Sequence, residues 1–213
     1  MHKMVDRFRD NKRKRHHINS LAQKREIVDF LEKNHISTKK NVVIYDTTGY
    51  NITANLNEYI ETGFRDIQLH CCEIDKQLIK PMHNKKNRDN LHNVYIHHSS
   101  LLKAVLNSGI KIKHINYDGT SALHTLLNNG LMSEIEAILQ ADVTTSAFTF
   151  ELLYQINQTV KYFNKHKEQI LCDLYIEIEE LAKRNGYKIE KLYSKRFKDG
   201  YEMQPLVIGF KKL

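Results

Sequence analysis

Apolar and polar positions change their period several times along this chain. Ile18, Leu21, Ile27, Val28 and Leu31 recur at helical spacing, which predicts an amphipathic helix from Ile18 to Asn34. Val42 to Tyr45 is a short β-branched run and reads as a strand, followed by a helix over Ile52 to Glu61. A second strand is expected over Ile67 to Cys72, and a short helix over Lys76 to Met82, stopped near Pro81. His83 to Asn93, with Lys85, Lys86 and Arg88, reads as a polar, basic surface loop. Strands follow at Val94 to His97 and at Ile110 to Tyr117, separated by a helix over Leu101 to Asn107. Ser121 to Gln140 is helical with a break near Asn128-Asn129-Gly130, and Val143 to Phe150 is a Thr-rich fifth strand.

Strand and helix therefore alternate repeatedly, which implies a parallel sheet covered on both faces and joined by right-handed crossovers. The chain finishes differently. A long helix from Phe163 to Asn185 carries Leu171, Leu174, Ile178 and Leu181 on one face and stops at Gly186. Tyr187 to Phe197 and Met203 to Phe210 then alternate around Lys198-Asp199-Gly200, a hairpin signal. The expected fold class is α/β, three-layered, mostly parallel, with a C-terminal antiparallel hairpin.

With 213 residues, 41% hydrophobic and 27% charged, the chain is long enough for one sizeable core and unlike disordered or fibrous sequences. The expected organisation is a basic tail and helix over residues 1–40 and one α/β domain over residues 41–213. Lys and Arg number 33 against 25 Asp and Glu, a net charge of +8, which favours a polyanionic partner, RNA or DNA. Lys12-Arg13-Lys14-Arg15-His16-His17 is either a solvated tail or a phosphate-contacting arm. Cys71, Cys72 and Cys172 form no C-x-x-C and read as reduced thiols, and no run approaches the ~18 apolar residues of a membrane helix. A cytoplasmic protein is expected. Lys and Asn richness with only two prolines points to an A/T-rich genome, as in a virus or phage, whose protein would occupy the host cytoplasm.

The chemistry concentrates at the ends of the first two strands. Asp46-Thr47-Thr48-Gly49-Tyr50-Asn51 is an acidic turn in which Gly49 alone lacks a side chain, so backbone amides there can approach an anion at a helix N-terminus. Glu73-Ile74-Asp75 ends the second strand; a carboxylate at Glu73 suits a ribose diol, whose two hydroxyls it can accept, and Asp75 suits a helix cap. Open α/β sheets bind their ligands beyond such carboxyl ends.

The order of elements and these two turns are similar to the class I S-adenosylmethionine-dependent methyltransferases, a Rossmann-like family whose last strand inserts antiparallel. The resemblance spans about Asn41 to Leu213, and the pattern of Asp46, Gly49, Asn51 and Thr53 looks like a divergent branch of it. It implies S-adenosylmethionine as cofactor, held by Asp46, Thr47, Gly49, Asn51, Glu73 and Ser99, the last toward adenine. It also implies a catalytic or acceptor-orienting role for Asp118 in Asn116-Tyr117-Asp118-Gly119-Thr120. The family's three alternating glycines are reduced here to Gly49. The Asn/Asp-Pro-Pro-Tyr/Phe signature of nucleobase amino methylation and the Pro-Cys of cytosine C5 methylation are both missing. Asp118 reads equally as an Asp-Gly turn capping a helix at Ser121. His70, His92, His97 and His98 include neighbours on opposite strand faces and form no ligand set for a metal. Three functions stay open: a methyltransferase acting on nucleic acid, a catalytically inactive methyltransferase-like nucleotide- or nucleic-acid-binding module, and a nicotinamide-dependent oxidoreductase. The absent G-x-G-x-x-G and the terminal hairpin weigh against the last.

Overall fold

The computed structural model describes residues 19–47, 49–199 and 201–213. The basic block at Lys12 to His17 lies outside them. Helix α1 spans residues 19–33 and ends in a reversal at His35, whose φ of 62° puts it in the left-handed region while Ile36 N–H donates to Leu31 O at 2.9 Å. Its apolar face is used fully: Ile27 and Leu31 are fully buried, each contributing about 1.5–3 kcal/mol of burial.

Eight strands form one sheet: β1 (Val42–Asp46), β2 (Ile67–Glu73), β3 (Val94–His98), β4 (Ile112–Ala122), β5 (Thr144–Gln155), β6 (Tyr187–Tyr193), β7 (Phe197–Asp199) and β8 (Tyr201–Lys212). The path is β3-β2-β1-β4-β5-β8-β6, with β7 paired to β8. Pairs among β1 to β5 are parallel, and β8 inserts antiparallel between β5 and β6. Strand order reverses between β1 and β4, the position at which such sheets open a crevice. The helices are α2 (Ile52–Glu61), α3 (Lys76–Arg88), α4 (Leu101–Leu106), α5 (Leu123–Asn128), α6 (Leu131–Gln140), α7 (Ile156–Phe163) and α8 (Lys167–Arg184).

Two cores result. On one face Tyr45, Ile115, Phe150 and Ile208 pack with residues of α4 to α8. On the other, Val42, Ile44, Leu69 and Val207 pack with α1, α2 and Met82 of α3.

Three expectations are corrected. The expected His83 to Asn93 loop is mostly helix, because α3 runs through Pro81 to Arg88. Met82 is fully buried against the sheet, and that burial, about 1.5–3 kcal/mol, offsets much of the cost of a proline inside the helix, about 3 kcal/mol. Strands β4 and β5 continue to Ala122 and Gln155, paired from His114 to Asp118 and again at Ala122, with a register shift between. Helix α7, not expected, follows β5 directly, so the last long helix starts at Lys167 rather than Phe163. The terminal antiparallel ending is as expected, with β6 and the short β7 both paired to β8.

Candidate functional site

The carboxyl ends of β1 to β4 enclose a cleft of about 550 Å³. Thr47, Gly49, Asn51, Glu73, Ser99 and Asp118 line it, so the sequence-predicted residues converge there with one exception, Asp46. The geometry is built locally. Thr47 leaves β1 and staples it to β4: its Oγ1 accepts from Asp118 N–H at 2.8 Å and lies 3.3 Å from the Asp118 carbonyl oxygen. Gly49 follows at φ 52°, a conformation costly for a residue with a Cβ, and opens the 3-10 turn Gly49–Asn51 that leads into α2. A Cβ at Gly49 would sit 3.6 Å from Glu73 Oε2, so the turn and that carboxylate face each other closely.

Glu73 is fixed from the other side. Its Oε1 accepts from Asp75 N–H at 2.8 Å, and Asp75 Oδ1 accepts from Gln77 N–H at 2.8 Å, capping α3 as expected. Asn51 stands at the cap position of α2 with no side-chain capping bond. Ser100 caps α4 by accepting from Lys103 N–H at 3.3 Å.

Asp118 is not a turn or cap residue. It lies inside β4 opposite Leu153, and α5 begins only at Leu123, with Ala122 in its cap position. Leu123 N–H donates instead to Thr159 Oγ1 of α7 at 2.9 Å. The prolonged β4–β5 pairing is the reason: it carries the chain past Gly119 before the helix can start.

Asp46 lies behind the cleft, fully buried, accepting from Tyr59 Oη at 3.2 Å and Asn116 Nδ2 at 3.1 Å. Burial pushes its carboxyl up to about 7 against the pull of Lys24 and Asn116, with Glu151 and Asp118 adding repulsion. Glu151, also buried, is raised for the same first reason. His114 Nε2 approaches Glu151 Oε2 at 3.8 Å, but burial lowers the imidazole to about 3, so this is a neutral ring beside a carboxyl group and not an ion pair. Lys24 of α1 reaches in over the Tyr59 ring, 4.8 Å from its centroid, and bonds Glu58 at 2.9 Å.

Sequence reasoning missed Cys72, Ile74, Ser100, Leu101, Tyr117 and Ser121, which complete the lining. Ile74 had a signal: an apolar residue between two carboxylates, here 73% exposed at the cleft rim. Of the histidines, His70 Nδ1 and His97 Nε2 lie 2.9 Å apart, and among the described residues no group of three or more His, Cys, Asp or Glu stands at metal-binding range. The three cysteines form no disulfide, with Cys71 and Cys72 buried and Cys172 exposed. No described helix is long and apolar enough to cross a membrane.

The sheet order, the antiparallel β8 and the position of the cleft define the class I methyltransferase fold, and solved structures bear this out. The chain is similar to M. jannaschii TYW2 in complex with AdoMet, at a TM-score of 0.52 and 12% identity over 88% of this chain and 77% of that one. It is similar to an rRNA methylase from Streptococcus thermophilus, at 0.51 and 14% over 87% and 93%. A SAM dependent methyltransferase from Aquifex aeolicus matches at 0.50 and 12% over 81% and 84%. No protein-family model matches the sequence, and no curated protein matches it significantly.

Proposed function

We propose that this chain is an S-adenosylmethionine-dependent methyltransferase whose acceptor is a nucleic acid. One observation carries the reading: a single cleft at the strand-order reversal gathers the Gly49 turn, a fixed Glu73 carboxylate, Ser99 and Asp118. Its volume is within the usual range for a cofactor-sized ligand. The residues fit such a ligand. Glu73 is anchored through Oε1, which directs Oε2 toward the Gly49 turn, where a ribose diol can donate to it. Amides after Gly49 suit the methionine carboxylate, Asn51 supplies an amide beside them, and Ser99 and exposed Ile74 suit the adenine edge and face. Asp46 supports the wall from below, through Asn116 and Tyr59.

When bound, the cofactor supplies an electrophilic methyl group. The protein's own part is alignment, and Asp118, on the cleft wall, is suited to orient the acceptor and take its proton. The net charge of +8 favours a polyanionic acceptor, and solved relatives by fold include an rRNA methylase. A chain reduced to one glycine in the turn also favours a second reading, a binding module without turnover.

Calorimetry with S-adenosylmethionine and S-adenosylhomocysteine tests the first step. Binding is expected, weakened by about 1–3 kcal/mol in Glu73→Ala, the scale of lost charge-assisted hydrogen bonds. No heat at millimolar ligand overturns the reading. Radiolabelled methyl incorporation into RNA, DNA, protein and small-molecule pools tests the second, with Asp118→Asn expected to keep cofactor affinity and lose about 10²-fold or more in rate. Binding without turnover on any pool leaves the silent module as the function.

A further inference from the structure

A ladder of rings crosses the sheet and reaches solvent at the edge strand β3. Tyr45, His70 and Tyr95 are direct cross-strand partners, in register from β1 through β2 to β3. Their rings stack, with centroids 4.5 Å apart for Tyr45 and His70 and 4.8 Å for His70 and Tyr95, both pairs tilted by 21°. His97, two residues along β3, stacks on His70 at 5.1 Å and shares the 2.9 Å ring-nitrogen contact with it. Exposure rises along the ladder from 2% at Tyr45 to 7% at His70 and 42% at Tyr95. The stack thus begins in the core and ends in an open ring.

The helix packed against β3 is cationic. Helix α3 carries Lys76, Lys80, Lys85, Lys86 and Arg88 and no carboxylate. Asp89, just after it, pairs with Lys85 and Arg88, while among the described residues no carboxylate lies within salt-bridge range of Lys76, Lys80 or Lys86. Lys86 Nζ stands 5.8 Å from the Tyr95 ring centroid. Strand β3 then runs into Ser99 and Ser100 on the cleft rim, so this surface is continuous with the candidate site. Burial lowers both His70 and His97, to about 4 in the first case, so the ladder offers uncharged ring faces at neutral pH while the charge comes from α3.

We infer that Tyr95 and α3 form a docking surface for single-stranded RNA, in which an unpaired base stacks on Tyr95 as the next ring of the ladder and Lys76, Lys80 and Lys86 meet the flanking phosphates. This rests on the nucleic-acid acceptor reading above. Stacking on a protein ring needs a base face that a duplex hides, which selects a single strand. Exposed Asn84 and Asn87 on the same helix supply amides suited to 2′-hydroxyls, which selects RNA.

The experiment is fluorescence anisotropy of the full chain with a labelled 20-nucleotide oligoadenylate RNA, its duplex with oligouridylate, and the matching single-stranded DNA, titrated with KCl. Tyr95→Ala is expected to weaken single-stranded RNA by roughly 5- to 150-fold, the range of one lost base stack, and Tyr95→Phe to bind as the parent does. The triple change Lys76→Gln, Lys80→Gln, Lys86→Gln should flatten the slope of log affinity against log salt by about 2, at about 0.7 per phosphate contact. Cofactor calorimetry and circular dichroism of every variant should be unchanged. If the parent binds RNA and all variants match it, the docking surface is overturned and the acceptor reading stands. If the parent binds neither RNA nor DNA at low salt, both fall together. Equal or tighter binding of duplex or DNA overturns the assignment to single-stranded RNA.

Discussion

Two adjacent rows of residues cross the same strands in the same register and have opposite chemistry. Tyr45, Ile115, Phe150 and Ile208 form a row on the face under α4 to α8, buried and apolar apart from one phenol. One residue further along β1 and β4 lies the row of Asp46, Asn116, Glu151 and Val207, on the face under α1 and α2. Side chains alternate across a sheet, so one step along the strand exchanges one core for the other. The first row is ordinary hydrophobic stabilisation. The second places two carboxyl groups and an amide in a dry interior, leaving Asn116 Oδ1 and Glu151 Oε2 without a hydrogen-bond partner, a costly arrangement for a core. The costly row lies directly below the cleft. Asp46 and Asn116 are the last paired residues of β1 and β4, so the row lies where these strands part.

The largest effect expected from breaking this contrast is on the apolar row. Phe150→Ala removes a ring that is 3% exposed and lies 6.4 Å from Tyr117, and should cost about 3–5 kcal/mol in chemical denaturation. A loss below about 1 kcal/mol would mean that the apolar face is not the main source of stability.

The polar row predicts a pH dependence instead. Asp46 is raised to about 7 in the fold from 3.8, so between those values the folded protein holds a proton that the unfolded chain has released. Stability from this group is therefore full below about pH 4 and lost as pH rises through 7, at up to about 1.4 kcal/mol per pH unit. His70 acts oppositely: lowered to about 4, it favours the fold above pH 6.5 and opposes it as pH falls toward 4. Asp46→Asn keeps the side-chain volume and removes only the first contribution. The stability of the variant relative to the parent should thus improve by roughly 2–3 kcal/mol between pH 5 and pH 8, read from urea midpoints at each pH. Parallel curves would show that Asp46 is ionised throughout, with Lys24 outweighing burial.

How much of this was legible in the sequence differs between the two rows. The apolar row follows from continuous β-branched runs such as Val42 to Tyr45, which announce a strand buried on both faces. The Gly49 turn and Glu73 were legible because each chemistry sits in a few consecutive residues. The polar row was not, because Lys24, Asp46, Asn116 and Glu151 are far apart in sequence and meet only through strand register and the crossing of α1. The end of β4 was misread for a local reason: Asp118-Gly119 carries a turn signal that the continued pairing with β5 overrides. Likewise Pro81 signals a helix stop that the burial of Met82 overrides, and α7 lacks a preceding break because Gln155 passes from strand to helix without glycine or proline.

The smallest expected effect tests how α1 is seated over the polar row. Gly209 of β8 pairs with Thr149, which in turn pairs with His114, so it belongs to the polar face. A Cβ there would come within 2.4 Å of the Phe30 ring on α1, and Phe30 is only 5% exposed. Gly209→Ala should therefore cost about 1–2 kcal/mol, the lower part of the overpacking range, since a ring can tilt where backbone cannot. The same helix carries Lys24, so displacing it also moves the ammonium whose attraction lowers Asp46. The variant should then go on losing stability to a higher pH than the parent, because a weaker attraction raises the Asp46 carboxyl further and the loss ends only once pH has passed the folded value. Gly109→Ala is the control: nothing lies within 4 Å of its Cβ, and a change within about 0.5 kcal/mol is expected. Equal stability of the two alanine variants at every pH would mean that α1 can shift without strain and that its contact with β8 does not hold Lys24 in place.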